Sequence, residues 1–168
     1  MLIRPARSGE ELAVARVHVR SWQAGYRGLF PDGFLDALRP EDRAERYALG
    51  GSGPRAPATL LAADGDQVAG FVTIGPSRDG DLPDAGEIYA LYVDPDHWGG
   101  GVGRRLLGRA RAELAGRGHP LASLWVLAGN RQAERFYVAD GWRADGSVRK
   151  EDPWGIVAEV HRFRRPLP

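Results

Sequence analysis

Four glycines lie within five positions, between an apolar run and a helical pattern. They are Gly99, Gly100, Gly101 and Gly103, in the segment EIYALYVDPDHWGGGVGRRLL that spans Glu87 to Leu107. Amide hydrogens at a helix start carry partial positive charge, and glycines let the backbone approach a ligand closely. This join between strand and helix therefore predicts a site for a phosphate group.

Spacing excludes two common uses of a glycine run. The dinucleotide fingerprint needs a third glycine where Arg104 or Leu106 stands. The nucleoside-triphosphate loop needs a Gly-Lys-Ser/Thr ending, and the only lysine is Lys150. Taken alone, the segment is also compatible with a plain flexible turn.

The hydrophobic pattern predicts strands and helices along the whole chain. The predicted strands are Leu2 to Pro5, Thr59 to Ala63, Gln67 to Gly75, Glu87 to Val93, Leu121 to Leu127, Trp142 to Val148 and Ile156 to Arg164. A capping box of Ser8 and Glu11 predicts a helix to about Trp22. Further helices are predicted over Asp32 to Leu38, Pro40 to Leu49, and from Val102 and Asn130.

A second motif, NRQAERFYVADGW from Asn130 to Trp142, follows downstream. Together with the glycine run it resembles the GNAT superfamily of acyl-CoA-dependent N-acetyltransferases. The family's glycine motif, Gln/Arg-x-x-Gly-x-Gly/Ala, falls on Trp98, Gly101 and Gly103. Trp98 stands where the family usually has Gln or Arg. The later motif, Asn-x-x-Ala-x-x-Phe-Tyr-x-x-x-Gly-Phe/Trp, is met in full.

The resemblance implies an α/β (mixed α+β) fold with a central, mostly antiparallel sheet of about six to seven strands flanked by helices. The glycine strand and the next strand would splay apart to admit acetyl-CoA as co-substrate. The residues expected to bind it are Leu91, Tyr92, Val93, Trp98, Gly99, Gly100, Gly101, Val102, Gly103, Arg104, Asn130 and Tyr137.

Two side chains are expected to act in catalysis. A lysine-like amine has a pKa of about 10.4, so fewer than about one molecule in a thousand is free to attack at pH 7. Glu87 is the candidate for removing the proton, directly or through water, because several family members keep a glutamate there. Strand alternation would put it on one face with Tyr89, Leu91 and Val93. Tyr137 is the candidate hydrogen-bond donor to the departing sulfur, again by resemblance.

The acceptor is expected to be a small-molecule or peptide amine, received directly because the chain has no cysteine to form an acyl-enzyme. Trp22, Tyr26 and Phe30 are the candidate substrate-binding residues, with packing of the helix on the sheet as their alternative. The loop from Arg149 to Gly155 is expected to contribute to specificity. The alternative functions are an acyl-CoA-binding regulatory module without efficient turnover and a nucleotide-binding domain.

Composition predicts one cytoplasmic domain over residues 1–168. A net charge of +1 gives no general attraction to nucleic acid or membrane. Neither a signal peptide nor a run of about 20 apolar residues is visible. The four histidines show no metal-ligand spacing, so no metal is expected. The sequence leaves the oligomeric state open, although the resemblance is compatible with a homodimer.

Overall fold

The computed structural model describes residues 1–152 and 155–168. The elements, in chain order, are β1 (Leu2–Pro5), α1 (Glu11–Gly25), α2 (Asp32–Asp36), α3 (Pro40–Ala44), β2 (Ala58–Asp64), β3 (Gln67–Pro76), β4 (Gly86–Val93), α4 (Val102–Gly116), β5 (Leu121–Leu127), α5 (Arg131–Ala139), β6 (Arg143–Glu151) and β7 (Ala158–Pro166). They form a seven-stranded sheet in the order β1-β2-β3-β4-β5-β7-β6. The pairing of β4 with β5 is parallel, and the other neighbouring strands are antiparallel. The predicted fold class is confirmed.

Two apolar layers cover the sheet, one beneath α4 and one beneath α1. The α4 layer is explained by side chains that recur every fourth residue and are all buried, namely Val102, Leu106, Ala110 and Leu114. On the opposite face, Val14 and Val17 of α1 pack on Leu61 and Phe71. The sheet therefore has a helix and its own apolar layer on each face, α4 on one side and α1 on the other.

The start of α1 differs from the prediction. The capping box of Ser8 and Glu11 does not form, because α1 begins at Glu11 and has no side-chain cap. Instead the Glu11 carboxylate accepts a hydrogen bond from the Gly9 amide at 2.7 Å, and Glu10 accepts one from the Arg7 amide at 2.7 Å. Two neighbouring carboxylates thus satisfy backbone donors just ahead of the helix.

The predicted helices after α1 are shorter in the structure, ending at Asp36 and Ala44. In the predicted acceptor loop 149–155, the first three residues are the end of β6, and residues 153 and 154 lie outside the described residues.

No helix in the described ranges is long and apolar enough to cross a membrane. Within those ranges, no group of three or more histidine, aspartate and glutamate side chains is arranged to hold a metal ion.

Candidate active site

Strands β4 and β5 pair at one end only and then separate. The paired residues are Gly86 with Ala122, Glu87 with Ser123, and Ile88 with Leu124. Beyond these pairs, both strands line a cavity of about 950 Å³. The same cavity is bordered by the glycine turn before α4 and by the end of α1. A passage through the sheet of this kind lets a long ligand on one face meet a second molecule on the other.

The glycine turn presents the positive end of α4 to the cavity. Gly99 and Gly101 have φ values of 76° and 79°, in the left-handed region that strains any residue with a Cβ. The first amides of an α-helix have no partner within the helix. No acidic residue lies in the first turn of α4, and Arg104 also borders the cavity. This end of the cavity therefore suits an anion.

Trp98 connects the glycine turn to both β4 and α1. Its indole Nε1 donates a hydrogen bond to the Val93 carbonyl oxygen at 2.8 Å. The same oxygen accepts a hydrogen bond from the Ser21 hydroxyl at 2.6 Å. The Trp98 ring lies against Gly25, 3.7 Å from where a Cβ would stand there. Trp98 lines the cavity and is 41% exposed, so its free surface is available to a ligand.

Helix α5 supplies the opposite wall. Asn130 caps this helix, since its Oδ1 accepts a hydrogen bond from the Ala133 amide at 3.2 Å. Asn130, Ala133 and Tyr137 share one helix face, as their spacing predicts, and all three line the cavity. Phe136 also lines it and packs against Gly103, 3.3 Å from where a Cβ would stand. The absence of a side chain at Gly103 thus allows α4 and α5 to approach each other.

Tyr137 is 9% exposed and packs between Phe136 and Trp142. Burial raises the pKa of its phenol well above the usual value, and nearby Tyr92 raises it further. The phenol therefore remains protonated across the pH range in which proteins are assayed. In that state it can donate a hydrogen bond to a group in the cavity.

The strand alternation predicted for β4 is wrong, because a β-bulge interrupts it. A shift in the register with β3 leaves Tyr89 as an extra residue. Ile88, Leu91 and Val93 consequently all pack in the layer beneath α4. Glu87, next to Ile88, faces the other side of the sheet, away from Leu91 and Val93.

Glu87 is 1% exposed and is not among the residues that line the cavity. Its carboxylate accepts hydrogen bonds from the Arg78 amide at 2.8 Å and from the Arg78 guanidinium at 2.7 Å. The guanidinium carbon of Arg78 lies 4.0 Å from the centre of the Tyr89 ring, which does line the cavity. Glu87 is therefore connected to the cavity through Arg78 and Tyr89.

Of the three predicted substrate-binding residues, only Tyr26 lines the cavity. Trp22 and Phe30 are 5% and 7% exposed and stack on each other with ring centres 5.5 Å apart. They pack around Tyr26, whose ring centre lies 4.8 Å from that of Trp22. Burial raises the pKa of both Tyr26 and Tyr92. The structure therefore assigns Trp22 and Phe30 to the packing that fixes Tyr26.

The sequence analysis missed Trp125, which also lines the cavity. Its Nε1 donates a hydrogen bond to Asp79 Oδ2 at 3.0 Å, and the Arg149 guanidinium lies 3.9 Å from the centre of its ring. One feature of the sequence could have identified Trp125. In a strand that neighbours the glycine strand, alternation places Trp125 on the face opposite the buried Leu124 and Val126.

Every residue predicted to bind the cofactor lines the cavity. The split sheet and the glycine turn are the features that the resemblance to acyl-CoA-dependent N-acetyltransferases implies. The chain belongs to the acetyltransferase (GNAT) family, whose model matches residues 19–142, and it is an acyltransferase.

Relatives and solved structures agree with this family. A probable N-acetyltransferase of Mycobacterium tuberculosis is 30% identical, and the alignment covers 99% of this chain and 95% of the relative. An uncharacterized N-acetyltransferase of Bacillus subtilis is 27% identical over 76% of this chain and 72% of the relative. A mycothiol acetyltransferase of Kocuria rhizophila is 38% identical over 51% of this chain, which matches only 30% of that longer protein.

The fold is shared with the PaiA N-acetyltransferase of Thermoplasma acidophilum, solved in complex with coenzyme A. The TM-score is 0.71 at 17% identity, and 99% of each chain is covered. A GCN5-related N-acetyltransferase from Rhodopseudomonas palustris gives a TM-score of 0.75 at 20% identity, covering 99% of this chain and 95% of the other.

Proposed function

We propose that this protein transfers the acetyl group of acetyl-CoA directly to a primary amine. The observation that carries the proposal is the single cavity that begins at the glycine turn and passes between β4 and β5 to the side of α1. Its anion-binding end suits the phosphates of the cofactor. The gap between the strands suits the extended arm that carries the thioester. The relative in fold from Thermoplasma acidophilum was solved in complex with coenzyme A, which supports the use of this cofactor.

The edge of β4 beyond Ile88 is available to the cofactor arm. Its pairing with β5 stops at that residue, so the peptide groups of Leu91 to Val93 border the gap. A peptide-like cofactor arm would pair with this edge as a further strand does. Family resemblance favours the Leu91 amide as the donor to the oxyanion.

The transfer needs a free amine, an oxyanion site and a stable leaving group. The amine lone pair attacks the thioester carbonyl carbon, the carbon–sulfur bond breaks, and its electron pair remains on sulfur. Tyr137 donates a hydrogen bond to that sulfur, since its buried phenol keeps its proton. The amine loses its proton before attack, and Glu87 assists indirectly, by a relay through water past Arg78 and Tyr89. As the amide forms, the nitrogen loses a further proton, which ends on the sulfur, so the products are an amide and the coenzyme A thiol.

Tyr137→Phe tests the proposed chemistry. A hydrogen bond to a charged group contributes about 1.5–3 kcal/mol, so kcat is expected to fall by about 10- to 150-fold. The dissociation constant of coenzyme A, measured by calorimetry, is expected to change less than about threefold. Tyr47→Phe is the matched control, because Tyr47 hydrogen-bonds His18 away from the cavity wall. An unchanged kcat in Tyr137→Phe removes this residue from the mechanism.

The function itself is tested by coenzyme A release from acetyl-CoA over a panel of primary amines. Release that depends on the amine supports the transferase. Tight cofactor binding with no release above hydrolysis, for every amine of the panel, would instead favour the acyl-CoA-binding module. Competition of ATP or NAD with coenzyme A would favour a nucleotide-binding domain.

A further inference from the structure

The part of the cavity on the α1 face is lined mainly by rings. We call it the aromatic mouth and define it as Tyr26, Tyr89, Tyr92 and Trp125. Tyr89 is placed on this face by Arg78, which contacts both the Tyr89 ring and the carboxylate of Glu87 on the same side of the sheet. Ala90, Leu127 and Ser21 of α1 also line the cavity on this side. None of these described side chains has a carboxylate, an ammonium or an imidazole group, and His97, which also lines the cavity, belongs to the turn that precedes the glycines.

Two arginines that do not line the cavity stack on rings of the aromatic mouth. Arg78 lies over Tyr89 and Arg149 lies over Trp125, at 4.0 Å and 3.9 Å from the ring centres. The Tyr89 hydroxyl donates a hydrogen bond to the Pro76 carbonyl, and Trp125 Nε1 donates to Asp79. Both rings are therefore fixed in orientation before any acceptor arrives, which lowers the entropy cost of binding.

The carboxylates nearest to the mouth are already paired with arginines. Glu87 pairs with Arg78 at 2.7 Å, and Asp79 pairs with Arg149 at 2.9 Å and with Arg162 at 3.2 Å. Glu151 also pairs with Arg149. The side chains of Arg78 and Arg149 remain 58% and 36% exposed. A second ammonium group on the acceptor would therefore meet partly exposed positive charge and neutralised carboxylates.

We infer that the acceptor is a small primary monoamine with an aromatic or apolar body, held by the aromatic mouth, and that polyamines are rejected. The inference rests on the proposed function and specifies its substrate class. The amine passes towards the gap between β4 and β5, while its body lies against Tyr26, Tyr89 and Trp125. Rings accept an aromatic body by edge or offset stacking, and they bury an aliphatic one.

The test compares acceptors on the unmodified protein. Values of kcat/KM are measured with acetyl-CoA and phenethylamine, isoamylamine, putrescine or spermidine. Phenethylamine and isoamylamine are each expected to exceed putrescine and spermidine by at least about tenfold. A polyamine that matches or exceeds both monoamines overturns the inference and leaves the transferase standing. If no amine releases coenzyme A, although coenzyme A binds, the proposed function itself fails.

Two variants locate the selectivity. Trp125→Ala is expected to raise KM for phenethylamine by at least about tenfold, with the coenzyme A dissociation constant unchanged. Trp125→Phe keeps a ring and is expected to restore most of the lost kcat/KM. If Trp125→Ala unfolds, Trp125→Leu replaces it, with thermal unfolding as the check on folding. Equal phenethylamine KM values in the wild type and in the ring-free variant overturn the assignment of Trp125.

Discussion

His18 is predicted to make the protein acid-sensitive at a pH where most carboxylates are still ionised. It is 8% exposed, stacks on Tyr92 with ring centres 4.4 Å apart, and shares a hydrogen bond between Nδ1 and the Tyr47 hydroxyl. Burial, and then the charge of Arg43, lowers the pKa of His18 from 6.5 to about 3. The folded state therefore keeps this ring neutral in mild acid, whereas the unfolded chain takes up a proton.

The sign of the effect follows from proton binding. Between pH 6.5 and about pH 3 the unfolded state binds more protons than the folded state, so stability falls as the pH falls. With these two pKa values, the free energy of unfolding is expected to drop by about 2 kcal/mol between pH 7 and pH 5. For a chain of this length the drop corresponds to about 4–8 °C in Tm.

Urea unfolding and thermal scans at pH 7, 6 and 5 measure this slope. His18→Gln cannot titrate and is expected to be less stable at pH 7, with a flat profile from pH 7 to pH 5. His161→Gln is the control, because His161 lies half-exposed on β7 and pairs with Glu159 at 2.8 Å. The reasoning is refuted if the wild type is equally stable at pH 7 and pH 5, or if His18→Gln keeps the wild-type slope.

Two further substitutions test the catalytic and cofactor ends of the cavity. Glu87→Gln is expected to lower kcat/KM by about 10- to 100-fold at pH 7 and to recover as the pH approaches about 10.4, where half of a lysine-like acceptor amine is already free. A loss of stability with an unchanged pH–rate profile would show instead that Glu87 only holds Arg78. Gly101→Ala is expected to destabilise the protein by about 1–2 kcal/mol and to weaken coenzyme A binding, because this position has a φ of 79° although the space around it is open. Gly100→Ala, whose position has no positive φ, is the matched control in the same unfolding and calorimetric measurements, and equal effects of the two changes would contradict the strain argument.

Local patterns predicted much of the fold. The bounds of β5 were predicted to the residue, and α4 begins where its four-residue spacing begins. The hairpin between β2 and β3 forms around Asp64-Gly65-Asp66, as predicted. These features depend on neighbours in the sequence, which a pattern can report. The residues predicted to bind the cofactor, all of which line the cavity, were identified from the resemblance to the family and not from the hydrophobic pattern.

The features that were not predicted depend on residues far apart in the chain. The bulge at Tyr89 lies in a run where nearly every side chain is apolar, so alternation has no polar positions to mark it. The ring of Trp125 is set by Asp79 and Arg149, which reach it from a loop and from β6. Nothing in the local pattern of β5 indicates either partner. For the same reason the sequence could not show that Glu87 faces Arg78.

The two hydrogen bonds to the Val93 carbonyl oxygen join the helix beside the proposed acceptor site to the turn that we propose holds the cofactor. Ser21 belongs to α1, which ends just before Tyr26, whereas Trp98 directly precedes Gly99 in the glycine turn. If the proposed sites are correct, cofactor recognition and acceptor choice depend on one shared backbone atom and are not independent of each other. A chimera that exchanges α1 to alter acceptor choice would have to retain Ser21 and a residue as small as Gly25. Otherwise the exchange would displace Trp98, and a change made to the acceptor site would weaken the binding of coenzyme A at the glycine turn.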